Sequence, residues 1–265
     1  MKQTMPCTPA IPGTDLGPSD RSWHALFRIG AAVALVLLAG ALVDIVLAMV
    51  PGWGPETVPG DVPAWFAQLA KNPLLGMRNL DFLNVTLSVV SLPLYIALLG
   101  AQRRSSPGGA ILGLLLVCVG TAAFVASNAA LPMLELSRQY ASTAVPAARL
   151  ASRSAGEALL ARGAHGSYGA FPGFVISEIG TLVMALAMLR GRVFGRSVAW
   201  VGVAGTAALM VYSAGATFVS GSSALVTMIA APGGLLMMVW YVLVARRLSV
   251  LGRGAAENGS ARRAA

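Results

Sequence analysis

Six apolar stretches, each about as long as a bilayer is thick, lie along the chain at about residues 29–50, 80–100, 108–130, 168–189, 198–219 and 224–245. A helix rises about 1.5 Å per residue, so roughly 20 residues cross a hydrocarbon layer of about 30 Å. Backbone in hydrocarbon must satisfy its own hydrogen bonds, and a single apolar run of this length does so only as a helix. The chain is therefore expected to be all-α: a polytopic integral membrane bundle of six transmembrane helices. Its charge content agrees. Only 11% of residues are charged and mean hydropathy is +0.73, against about 25% charged residues in an ordinary soluble domain.

The first run, Ile29–Val50, follows Arg28 and ends at Pro51-Gly52-Trp53. It is too long for a signal-peptide core and is expected to stay as an anchor. Residues 1–21 are rich in Pro, Gly, Ser and Thr and read as a disordered tail, as do residues 251–265. The link 51–78 contains Pro63–Leu69, which reads either as a short helix in the headgroup region anchored by Trp65 and Phe66, or as a plain loop. The longest link is 131–165. Pro146 is placed to start a helix over 147–162, with Gly163 just past its end, Arg153 and Glu157 paired at i,i+4, and Leu150, Leu159 and Leu160 on one face. That segment is expected to form a small helical extracytoplasmic cap. Gly109 and Gly113 suit close packing inside the bundle. Ser220-Gly221-Ser222 is the shortest turn and makes the fifth and sixth spans antiparallel neighbours. In the sixth span, Pro232-Gly233-Gly234 is expected to interrupt the helix and Trp240-Tyr241 to sit in an interfacial belt.

The net charge of +9 does not point to nucleic acid, because the basic residues lie in the links and no basic patch is interleaved with aromatics. Of 19 Lys and Arg residues, 13 fall on the side shared by the two termini and 6 on the other. The positive-inside rule then places both termini in the cytoplasm. Lys2 and Lys71 are the only lysines among many arginines, a usage that suits a high-GC bacterial genome. The expected location is a bacterial inner (plasma) membrane, with the lipid bilayer as partner.

Ionisable and polar groups inside the spans mark the candidate site. Glu178 lies roughly 15 Å from the Tyr168 end of its span, close to the midplane, and Asp44 roughly 9 Å from the Val50 end of its own. Charge at such depths is expensive and should face a wet cavity or a partner. Asp81, Asn84, Ser88, Ser91 and Tyr95 recur at spacings of three and four, so one helical face carries a polar stripe, with Pro93 set to kink the helix beside it. Asn128 ends the third span at similar depth. Asp44, Asp81, Asn84, Asn128 and Glu178 are thus expected to share one polar cavity, closed on its far side by Leu, Met and aromatic side chains. His24 and His165 lie outside the spans on opposite faces, and Cys118 reads as a small core residue. No nucleotide-binding, zinc or nucleophile motif is present, and no cofactor, metal or catalytic residue is expected.

Four further stretches carry a resemblance: Ala130–Tyr140, Gly156–Ala161, Ala185–Arg190 continued by Val193–Arg196, and the first span with its acid at Asp44. Over roughly residues 25–220 the chain resembles a bacterial membrane family catalogued as domain of unknown function 4386. The resemblance implies a multi-span membrane protein and brings no activity. Two functional readings follow from the residues: handling of a small solute, lipid or ion through a polar cavity, or a non-enzymatic interaction or sensory subunit that docks through the third link. A membrane-embedded enzyme ranks behind both.

Overall fold

The structure, a computed structural model, describes residues 21–219 and 223–263. The expected N-terminal tail and the Ser220-Gly221-Ser222 turn fall outside this range, the tail except for Arg21. The described residues form eleven α-helices: α1 (Arg21–Met49), α2 (Val62–Lys71), α3 (Pro73–Asn79), α4 (Phe82–Val90), α5 (Leu92–Gln102), α6 (Pro107–Ser127), α7 (Ala130–Ser142), α8 (Pro146–Gly163), α9 (Phe171–Gly191), α10 (Arg196–Phe218) and α11 (Ser223–Arg263). Six helical segments are long and apolar enough to cross a membrane: α1, α4 with α5, α6 with α7, α9, α10 and the part of α11 from Ala231 to Arg253. The third of these runs over 36 residues, which at 1.5 Å each is far longer than the hydrocarbon is thick. It breaks after Ser127. Asn128 turns the chain there, its side-chain amide donating to the Leu80 carbonyl at 2.7 Å and its side-chain oxygen accepting from the Ala130 N–H at 3.1 Å. We take α6 as the span and α7 as part of a cap.

Each span packs on the next in sequence, and α11 packs back on α1. The result is a closed up-and-down ring of six. Its spans have two kinds of interior. Phe27, Ala31, Ala34 and Leu37 of α1, Leu94 and Leu98 of α5, Met184 and Met188 of α9, and Trp240, Val244 and Leu248 of α11 fill one half with a continuous apolar core. The polar groups gather in the other half. We call the first half the plug and the second the mouth; α1, α6 and α10 run from plug to mouth, the others from mouth to plug.

Lipid tails are as apolar as Leu, so the ring is held by close packing rather than by removal of apolar surface from water. The α6–α9 pair shows how. Gly109, Gly113 and Gly120 on α6 face α9, and Gly173 and Gly180 on α9 face back. A Cβ on Gly180 would stand 2.7 Å from the Val117 nitrogen and 2.8 Å from the Gly113 carbonyl oxygen, closer than real atoms approach. Glycines seven apart on both helices keep one face small over two turns, so the backbones touch.

Outside the mouth, α2, α3, α7 and α8 form the cap. Asp61 accepts a hydrogen bond from the Ala64 N–H to start α2, and Asn72 accepts one from Leu75 to start α3, each followed by proline in the first turn. Trp65 and Phe66 are buried in a separate apolar cluster with Leu69, Leu80 and Met133. They are cap core: of the two readings left open, the segment is a helix rather than a plain loop, but its aromatics are buried rather than headgroup anchors. In a cap that stands clear of the bilayer, each such aromatic contributes up to about 3 kcal/mol by burial. Leu159 and Leu160 join it, whereas Leu150 is exposed. The expected Arg153–Glu157 pair is absent among the described residues. Both side chains are exposed, where an i,i+4 pair is worth only tenths of a kcal/mol and holds no fixed geometry.

Other expectations are also corrected. α11 is continuous through Pro232: proline is tolerated inside a membrane helix that packs on its neighbours, and Gly233 beside it lets the helix lie against Ala208 and Leu209 of α10. Trp240 is fully buried and Tyr241 faces the ring interior rather than an interfacial belt; Gly202 opposite supplies the space, since a Cβ there would stand 2.6 Å from the indole nitrogen. Cys118 is exposed on the outside of the ring, not in the core. α11 also continues through residue 251, read in the sequence as the start of a tail, as far as Arg263.

Candidate functional site

In the mouth half the ring encloses a cavity of about 460 Å³, lined by residues of all six spans and by the link before α9. The polar stripe turns inward: Asn84, Ser88, Ser91 and Tyr95 all line it. The helix is divided at Ser91, one residue before the start of α5, and Pro93 sits in the first turn of the new helix where its missing N–H costs nothing.

Three polar networks meet the cavity. The first is centred on His165. α8 ends at Gly163, and the chain reverses at Gly166, whose φ of +72° suits glycine. A Cβ there would stand 2.9 Å from the Ala216 carbonyl oxygen, so the turn presses against α10 and carries His165 into the ring. Its Nδ1 lies 2.7 Å from Asp81 Oδ2 and its Nε2 lies 2.8 Å from the Tyr212 hydroxyl. Asn84 donates to the other oxygen of Asp81 at 2.9 Å. The charge of Asp81 raises the His165 pKa above its ordinary value; burial opposes this, while the hydrogen bond to Asp81 and the charge of Asp44 reinforce it. A protonated His165 donates to Asp81 on one side and to Tyr212 on the other. The Tyr212 hydroxyl is then left to donate elsewhere, so the chain Asp81–His165–Tyr212 can pass a proton between the mouth and α10.

The second network is an ion pair. Arg78 Nε donates to Asp44 Oδ1 at 3.1 Å, and the same guanidinium donates to the carbonyls of Trp53, at 2.7 Å, and Asp44. This ties the first link to the end of α1. Asp44 lines the cavity with its charge already matched.

The third surrounds Glu178. Ser213 donates to its Oε1 at 2.7 Å, while Oε2 is buried and has no hydrogen-bond partner among the described residues. Tyr95 and Thr181 share a hydrogen bond of 2.6 Å in the same cavity. Tyr212 and Ser213 are consecutive on α10, so one helix touches the first and third networks through neighbouring residues.

Of the five residues singled out from sequence, Asp44, Asn84 and Glu178 line the cavity, and Asp81 joins it through His165 and Asn84. Asn128 does not line it; both ends of its amide are used to break the helix after α6. Tyr212 was missed; Ser213 stands out in the sequence only as part of a weak small-and-polar stripe with Gly202, Thr206 and Thr217 on the fifth span, and His165 only as a histidine outside the spans. The available signal was a histidine between Gly163 and Gly166, one link ahead of the span that carries Glu178. Among the described residues no group of three or more His, Cys, Asp or Glu side chains is placed to hold a metal ion. No family model matches the chain, and no curated protein and no solved structure matches it.

Proposed function

We propose that the protein handles a small solute: it takes the molecule into the six-helix ring from the outer side of a bacterial plasma membrane, with both termini in the cytoplasm. The observation that carries this reading is the cavity itself, walled by every span, polar toward one end and sealed by apolar core at the other. A volume of about 460 Å³ lies in the range of pockets that bury small ligands, about 300–1,000 Å³. A bundle serving only as a scaffold gains nothing from holding Glu178 away from water at this cost. The orientation rests on the 13-to-6 division of basic residues between the two sides.

Cysteine labelling tests both parts. In a background lacking Cys7 and Cys118, Ser88→Cys in the cavity and Ala155→Cys on α8 should react with a membrane-impermeant thiol reagent added outside intact cells. Ala155→Cys reacting only after permeabilisation reverses the orientation. Ser88→Cys inert on both sides removes the open cavity.

One observation supports a second reading, that of an interaction subunit. The cap carries a groove between α7 and α8, lined by Pro132, Leu136, Ala158 and Leu159 with Glu135 and Arg162 at its edge. A protein segment docking there would cover Ala155, which lines the same groove, so it would protect Ala155→Cys and leave Ser88→Cys unchanged, and the same labelling separates the two.

A further inference from the structure

We infer that the cavity takes a small organic cation, a protonated amine with an apolar body, whose ammonium group sits on Glu178. This rests on the reading of the cavity as a solute site and names the chemistry of its occupant.

The first argument is the charge of the lining. Two carboxyl groups, those of Asp44 and Glu178, face the cavity, and among the described residues no lysine or arginine does. The basic group that these residues place in its wall, His165, is engaged on both nitrogens by Asp81 and Tyr212. Asp44 is matched by Arg78, and Asp81 by His165. Glu178 is the carboxyl left over: its only partner among the described residues is the Ser213 hydroxyl on Oε1. Oε2 is buried and receives nothing from those residues, while the side chain as a whole lines the cavity, so a small turn of the carboxyl group presents it to an occupant. A carboxylate removed from water is costly until a cation and hydrogen-bond donors reach it, and an ammonium supplies both. An anion would meet two acids and no free base. A carbohydrate would need several polar partners in a fan, and the hydroxyls of Tyr95 and Thr181 already serve each other.

The second argument is the rest of the wall. Phe124, Phe174, Tyr241, Met237 and Met238 line the same space. Aromatic faces attract cations, and thioethers adapt to an apolar body of irregular shape. A bare metal ion would leave these surfaces without purpose and would lack a set of ligands.

The test uses the full-length protein in lipid nanodiscs, without Cys7 and Cys118, carrying Ser88→Cys. Its labelling rate is measured with two methanethiosulfonates of similar size, one bearing an aminoethyl group and one a sulfonatoethyl group, each corrected for its rate with free thiol. The amine reagent should react at least tenfold faster, and benzylamine should slow it where benzyl alcohol and benzoate do not. Adding Glu178→Gln should remove most of the preference and the protection while the site still reacts with both reagents and the variant keeps the parent's unfolding midpoint, which shows that it is folded; a lowered midpoint moves the same comparison to Glu178→Asp, which keeps the acid and should keep the preference. Equal rates for the two reagents, or a preference that survives Glu178→Gln, overturn the inference and leave the open cavity intact. No reaction with either reagent overturns the cavity reading itself.

Discussion

Asp81 adopts a left-handed backbone conformation, φ 60° and ψ 21°, at the junction where α3 stops and α4 starts. Asp and Asn visit this region more readily than other non-glycine residues, yet it still costs roughly 1 kcal/mol. The turn aims a buried carboxylate at His165. The groups that bear on His165 are Asp81 from the start of α4, Tyr212 from α10 and, at longer range, Asp44 from α1. Because the folded pKa lies above the ordinary value of about 6.5, the pair contributes stability that is fully present below that value and is lost as pH rises through the folded pKa. Thermal unfolding followed against pH in a fixed detergent should show this decline. Asp81→Asn tolerates the same backbone and keeps a hydrogen-bond acceptor, so it should fold and flatten the pH dependence; an unchanged profile would exclude the Asp81–His165 pair as its source. Sequence alone indicated Asn84, because spacings of three and four fix a helical face locally; it set Asp81 on the same face, whereas Asp81 stands one residue ahead of α4 and reaches the site through its left-handed turn. It could not indicate His165, whose place depends on a glycine turn pressing on a helix some fifty residues further along.

At the scale of the helix, glycine has opposite effects at different sites. Gly180 faces the backbone of α6, with Val117 and Gly113 atoms too near for a methyl group, whereas Gly234 in α11 has nothing within 4 Å of its would-be Cβ. Gly180→Ala should destabilise by about 1–3 kcal/mol through overpacking against atoms that cannot move aside. Gly234→Ala should be neutral or stabilise by up to about 1 kcal/mol through reduced freedom of the unfolded chain. Unfolding midpoints of the two variants, measured side by side, check the sign; loss of stability in both would mean that helix contact does not govern these positions. The half of this contact formed by Gly109 and Gly113 was readable as small residues four apart. Gly173 and Gly180 gain their meaning only from a partner helix distant in sequence. Trp240 and Tyr241 mislead for a related reason: an amphipathic aromatic suits a membrane interface and a roomy interior equally well, and Gly202 on a different helix decides between them.

For the whole molecule, six spans were legible because each is fixed by its own length and apolarity. Their arrangement as a closed ring was not, since closure is a property of α1 and α11, far apart in the chain. That last contact brings the start of α1 and the later part of α11 together at the plug: His24 Nδ1 lies 2.8 Å from the Leu251 carbonyl oxygen. A sequential ring whose first and last members touch has no topological beginning. The chain can therefore be rewired. A circular permutant that joins the region of residue 253 to that of residue 23 by a short flexible linker, with new ends between Arg104 and Pro107 on the same side of the ring, should assemble and melt near the parent temperature. Failure to assemble would show that the order of insertion, rather than the final contacts, governs folding. In the natural order, the polar wall on α4 and α9 is completed only when α11 docks. Until then a five-span chain in the membrane is an open horseshoe, and the cavity that Glu178 and Asn84 line lacks the wall formed by Met237, Met238 and Tyr241. During synthesis, this protein must pass through a stage in which its polar interior is open on one side, and the sixth span ends that stage.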